Sequence, residues 1–158
     1  MTYTSDPLKE DLEITGHPLL TVFISSTHED GMICAYLEFI NKKGNIFWIT
    51  DGQIRLVHRK ISSKIPPYKL VVPYHSFKKE DYSPMIPGEI AEITFALYPT
   101  SILIRRDNRI RLSLSAADKD TFARYPEVGI PTIRVERNKT YSSFIELPII
   151  KKNENLKP

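Results

Sequence analysis

The chain holds a single cysteine, Cys34, in 158 residues, which excludes an internal disulfide and any CxxC metal or redox site. Its six glycines are Gly16, Gly31, Gly44, Gly52, Gly88 and Gly129. That spacing leaves no GxGxxG or GxxxxGK[ST] phosphate cradle and no GxSxG nucleophile elbow. The histidines His17, His28, His58 and His75 are isolated, with no HxH, HxxxH or HExxH, so no metal site is expected and no cofactor is implied. The longest strongly apolar stretch, Pro18 to Ile24, falls far short of the roughly 20 residues of a membrane span. Met1 to Leu12 has neither a basic nor an apolar leader region, so no signal peptide is expected and the cytoplasm is the expected compartment. Helical periodicity is scarce. Only Asp118–Tyr125, with Asp118 as N-cap and Pro126 as stop, and Ser76–Tyr82 read as one or two helical turns.

What is present is a β pattern. Hydrophobic residues make up 41% of the chain and charged residues 26%, which is a globular composition. Short runs rich in Ile, Val, Thr, Phe and Tyr alternate with turn signals at each glycine. Leu19–Ser25 is nearly all apolar and reads as a central strand covered on both faces. Ile33–Ile40 puts Ile33, Ala35, Leu37 and Phe39 on one side. Ile46–Thr50 follows a Gly-Asn turn, as in a hairpin, and Gln53–His58 continues it beyond a bulge expected at Asp51-Gly52. Glu89–Tyr98 points Ile93, Phe95 and Leu97 inward, and Ser101–Ile104 is short. Arg109–Ala116 alternates Ile110, Leu112, Leu114 and Ala116 against Arg109, Arg111, Ser113 and Ser115. Thr132–Arg137 and Ser143–Ile150 complete the set. Pro66, Pro67 and Pro73 make residues 61–74 a long ordered loop, because proline cannot donate to a ladder. The expected architecture is an all-β antiparallel jelly-roll β-sandwich. Its boundaries are an N-terminal tail at 1–11, the sandwich at 12–150 and a C-terminal tail at 151–158.

Side chains with chemical potential each have a plain structural role to weigh. Cys34 sits in an alternating strand as a small buried hydrophobe. Arg105 to Arg111 is the densest cationic run, yet Asp107 interrupts it and the net charge is only +3, so no nucleic-acid partner is implied. Arg109 and Arg111 lie on the polar face of a strand, a placement suited to carboxylates of another domain. Trp48 and the loop residue Tyr74 are aromatic platforms that could stack on a sugar ring, or simply pack. Asp118 and Asp120 read as acids at a helix N-terminus.

An ordered set of segments then carries a resemblance. It comprises Leu12-Glu13-Ile14-Thr15-Gly16-His17-Pro18, Asp30-Gly31 with Ala35-Tyr36-Leu37-Glu38, and Thr50-Asp51-Gly52-Gln53-Ile54-Arg55 with His58-Arg59. It continues with Pro66-Pro67-Tyr68, Pro87-Gly88-Glu89, Leu97-Tyr98-Pro99-Thr100-Ser101 and Arg109-Ile110-Arg111-Leu112-Ser113. In this order they resemble the C-terminal domain of X-Pro dipeptidyl-peptidase and cocaine-esterase-like hydrolases, the S15 peptidase class. The resemblance implies a galactose-binding-domain-like jelly roll that follows an α/β-hydrolase domain carrying the Ser-Asp-His triad. It places no catalytic residue in this chain. Two departures stand out. Met32 occupies the last position of a usual Asp-Gly-Asp, and Asp107-Asn108 replace a usual Gly-His, where Asp or Asn can still supply left-handed backbone.

The resemblance therefore implies a non-catalytic domain that packs on a catalytic α/β-hydrolase domain and shapes its substrate cleft. It is compatible with a homo-oligomer and calls for no membrane. Arg55, Arg59, Arg109 and Arg111 are the expected interdomain contacts. The alternative is a stand-alone carbohydrate-binding module using Trp48 or Tyr74.

Overall fold

Strand-forming residues between turns build eleven strands in the computed structural model, which describes residues 1–64 and 66–151. In chain order they are β1 (Thr2–Thr4), β2 (Leu12–Gly16), β3 (Leu19–Ser26), β4 (Met32–Ile40), β5 (Ile46–Arg55) and β6 (Ala91–Ala96). Then follow β7 (Thr100–Ile104), β8 (Arg109–Ser115), β9 (Ile133–Val135), β10 (Phe144–Glu146) and β11 (Ile149–Ile150). Only two short 3₁₀ turns, Leu56–His58 and Lys79–Asp81, interrupt the all-β pattern among the described residues. Three antiparallel sheets result, in the orders β1-β8-β4-β5, β10-β3-β6 with β9 also on β3, and β11-β2-β7.

One core joins them. Ile33, Ala35 and Leu37 of β4 point inward with Leu114 of β8, and meet Leu20, Val22 and Ile24 of β3 and Ile93 and Phe95 of β6. Ile14 and Ile104 bring the third sheet into the same cluster. β3 lies centrally, and the hydroxyls of Thr21 and Thr94 pair across it at 2.9 Å, which satisfies two polar groups inside the sheet.

The β4–β5 ladder carries its irregularity at Ile49, not at Asp51-Gly52: Leu37 faces Thr50 while Glu38 faces Trp48. An extra residue reverses the alternation of every side chain beyond it. Thr50 and Ile54 accordingly face in, whereas Trp48 turns to the outer face beside Glu38. Gly52 is mid-strand for a different reason than turn geometry. A Cβ there would lie 2.8 Å from the Ala96 carbonyl oxygen and 2.8 Å from the Leu97 Cα, so only glycine lets the two backbones approach.

Several local expectations are corrected. The N-terminal tail is partly sheet: Thr2, Tyr3 and Thr4 pair with Ser113, Leu112 and Arg111, and the Met1 amino group donates to the Leu114 carbonyl at 2.7 Å. His58 leaves the strand for the 3₁₀ turn. Ser143–Ile150 divides at Leu147-Pro148 into β10 and β11, which belong to different sheets, because proline cannot continue the ladder. Ala116 is exposed, since β8 ends at Ser115. Asp118 starts a single turn rather than a helix: the Thr121 and Phe122 amides donate to its carbonyl and nothing propagates the pattern. Of the expected C-terminal tail, 151–158, only Lys151 falls within the described residues.

The two long sides of the sheet pair differ. Along β5 and β6, the Gly52–Ala96 approach and the segment from Leu56 to Met85 seal the core, and Leu56, Val57 and Met85 are buried. Along β1 on one sheet and β9 and β10 on the other, Ile110, Leu112 and Val135 point inward yet are only half-buried.

Candidate interdomain surface

The four arginines expected at an interdomain contact fall in two places, and each is engaged within the chain. Arg55 ends β5, where its Nε donates to Asp30 at 2.8 Å and its guanidinium lies 3.9 Å from the centre of the Tyr125 ring. The bond to Asp30 raises its pKa above the ordinary arginine value. Arg59 follows the 3₁₀ turn and donates to the carbonyls of Leu56, Ser83 and Pro84, stapling the turn to the segment before β6. Burial lowers its pKa. Arg109 holds the Ser5 carbonyl at 2.8 Å and so ties down the chain after β1. Arg111 reaches Glu38 on the neighbouring strand at 2.8 Å, and the Ser113 hydroxyl donates to the same carboxylate. The cross-strand register sets that pair: Arg111 stands opposite Glu38 and Glu38 opposite Trp48.

The outer face of β4 also carries Cys34 and Tyr36. The Tyr36 hydroxyl donates to Asp118 at 2.7 Å. Burial and that hydrogen bond push the phenol pKa well above its usual range, while the same bond lowers the pKa of Asp118. Cys34 is 1% exposed and burial raises its thiol pKa, as for a packed hydrophobe. Asp118 thus works as a tether for the segment after β8, and it also accepts hydrogen bonds from the backbone of Asp120 and Thr121.

Trp48 is 63% exposed on the edge strand of its sheet. Tyr74 sits elsewhere, in a recess of about 370 Å³ beside β5 and β6 that also includes Gln53, Tyr68, His75, Phe77 and Phe95. Trp48 does not line it. The rings of Tyr68 and Tyr74 meet edge to face, 6.5 Å apart. His75 anchors this loop: one ring nitrogen lies 3.0 Å from the His58 carbonyl and the other 3.0 Å from the Thr94 carbonyl of β6. Below the recess Gln53 Oε1 is buried and has no hydrogen-bond partner among the described residues. Nearby His58 packs against the edge of Phe77, and burial lowers its pKa, so its ring is neutral at pH 7. Tyr68, Val71 and Phe77 are exposed around the recess, while Lys60 and Lys64 are paired with Asp81 and Glu80.

Asp30 and Glu38 are not weighed from sequence as partners, and Asp118 reads there as a helix N-cap and not as the partner of Tyr36. Glu38 alone had a legible signal, its outward parity on β4; Asp30 and Asp118 meet Arg55 and Tyr36 only through tertiary packing. Among the described residues no group of three or more His, Cys, Asp or Glu is arranged to hold a metal ion. Among the described residues no helix is long and apolar enough to cross a membrane.

Residues 1–146 match the family described as the X-Pro dipeptidyl-peptidase C-terminal non-catalytic domain. The chain belongs to this family. Two relatives, from Mycobacterium bovis and Mycobacterium tuberculosis and each provisionally named a serine esterase, are 47% identical to the chain over 150 residues. The match takes in 95% of this chain but 24% of each relative, so the chain spans about a quarter of their length. The same fold occurs in a CocE/NonD family hydrolase from Staphylococcus aureus, with a TM-score of 0.78 and 16% identity over 95% of this chain and 30% of that one. It occurs also in an aminopeptidase from a marine sediment archaeon of the Thaumarchaeota, with a TM-score of 0.75 and 19% identity over 96% of this chain and 26% of that one. An α-amino acid ester hydrolase gives 0.75 and 16%, over 95% of this chain and 25% of its own. Membership explains why the chain shows a scaffold rather than a triad. The two departures from the family pattern are also accounted for. Met32 is buried, so an apolar side chain fills that position, and Asp107 adopts φ 67°, the left-handed geometry the turn requires.

Proposed function

We propose that the chain is the accessory domain of a serine hydrolase of the esterase or X-Pro dipeptidyl-peptidase type. It packs on an α/β-hydrolase catalytic domain and forms one wall of the substrate cleft. The observation that carries this reading is coverage: a non-catalytic family unit accounts for nearly all of this chain and about a quarter of relatives named as esterases. Esterase chemistry is preferred over dipeptide release because both 47%-identical relatives bear that name. The finer fold assignment is a jelly roll of the galactose-binding type. It is supported by consecutive strands that change sheets, as from β3 to β4, β5 to β6 and β7 to β8.

The contact surface we assign is the recess around Tyr68, Val71 and Phe77, with Arg55 and Arg59 outside its lining. These arginines act by bracing the surface, since their guanidinium groups are held by Asp30 and by backbone carbonyls. The test is complementation. The 158-residue chain is added to the Mycobacterium bovis relative lacking its matching 150 residues. The chain alone should hydrolyse no nitrophenyl butyrate above buffer, the truncated relative should be weak, and the mixture should recover turnover. Turnover by the chain alone, lost on mutating one of its own residues, would overturn the proposal.

The exposure of Trp48 favours one second reading, a carbohydrate-stacking platform. Glycan-array binding abolished by Trp48→Ala supports it, and an array without signal ends it.

A further inference from the structure

The open side of the sheet pair encloses a cavity of about 410 Å³, within the range of small-molecule sites. Val22, Ile110, Leu112, Val135, Phe144 and Ile145 form its apolar walls. The serine hydroxyls at its rim are already committed: Ser5 donates to the Asp6 carbonyl, Ser142 to that of Asn138 and Ser143 to that of Glu136. Arg137 differs from them. It is exposed at the same rim, its guanidinium lies 5.4 Å from the centre of the Tyr3 ring, and that side chain forms no hydrogen bond or ion pair among the described residues.

An apolar chamber does not hold water well, and a cation at its mouth discriminates among the apolar molecules that could enter. A guanidinium presents a planar fork of donors that matches a carboxylate in two parallel hydrogen bonds. We propose that this cavity binds a medium-chain carboxylate, its tail between β8 and β3 and its head group paired with Arg137 at the rim. The Tyr3 ring orients the guanidinium across the opening. The proposal stands apart from the interdomain reading, because none of the residues used there lines this cavity.

The experiment is calorimetric titration of the 158-residue chain with decanoate, using 1-decanol as the uncharged probe. Saturable binding of one decanoate per chain is expected. Arg137→Met keeps most of the apolar stem and should weaken decanoate about tenfold while leaving decanol unchanged. Leu112→Trp fills the chamber and should abolish both. The absence of saturable decanoate binding would overturn the proposal, as would equal decanoate affinity in wild type and Arg137→Met. A dimer dispersed by Leu112→Trp in a chain that ignores decanoate would assign the cavity to a second copy instead, and also overturns it. If Leu112→Trp fails to fold, the exposed Arg137→Met comparison decides alone.

Discussion

The two sides of the sheet pair solve the same problem differently. Two stacked sheets leave a gap along each pair of edges, and apolar side chains there remain wet unless something covers them. Along β5 and β6 the gap is closed by convergence and by chain. Gly52 lets one backbone touch the other, and the segment from Leu56 to Met85 folds over the remainder, pinned by Arg59, His75 and Asp81. Along β1, β9 and β10 the edges stay apart, and the ring of Tyr3 beneath Arg137 is the main bridge. Long insertions are tolerable because loop-closure entropy rises slowly with length, so the first side can use a large cover. The second side keeps a chamber whose walls are already formed. Stability and accessible space are thereby assigned to opposite margins of one core.

The comparison breaks most visibly at Gly52. Gly52→Val should abolish soluble folding or cost more than about 4 kcal/mol, because the new Cβ collides with backbone and not with a movable side chain. Thermal unfolding checks it, and a transition near that of wild type would mean that the two edges do not converge as described. Next in size is a paired truncation. Leu37→Ala on the sealed inner face should cost about 3–5 kcal/mol, whereas Leu112→Ala on the open side should cost about 1–2 kcal/mol, because Leu112 already keeps part of its surface in water. Urea denaturation gives both values, and equal costs would erase the distinction between the sides. The smallest effect is pH-dependent. The Lys60 ammonium and the Ser76 hydroxyl hold the Asp81 carboxyl well below the usual carboxylate range. A pKa lowered on folding gives stability that is complete above the unfolded value, near about 4, and is lost as pH falls further. The sealed side should therefore loosen first in acid. Asp81→Asn should lower the melting temperature at pH 7 and flatten its decline below about pH 4; an unchanged acid limb would show that this carboxylate does not anchor the cover.

Much of this fold was legible because period two is a strong signal wherever one face is buried. Ile33, Ala35, Leu37, Ile93 and Phe95 lie inside as their alternation demands. The family assignment was also legible, since it rests on turns and short motifs whose order survives in the linear chain. Other features leave no linear trace. β1 is three residues long, too short to display a period, and it exists because β8 offers an edge. The turn at Asp118 is set by the Tyr36 hydroxyl on a distant strand, against a helical reading from local propensity. Arg109 and Arg111 do stand on β8, but apart from the parity of Glu38 the partners of the four arginines leave no linear trace. Asp30, Glu38 and the carbonyls of Ser83 and Pro84 reach them only after folding.

The supernumerary residue at Ile49 sets which aromatic of β5 meets solvent. Drawn into regular pairing opposite Glu38, Ile49 would push Trp48 opposite Phe39, so the indole would rotate inside and Phe47 would take its post outdoors. Whichever neighbour reads that surface, its choice of aromatic hinges on odd or even.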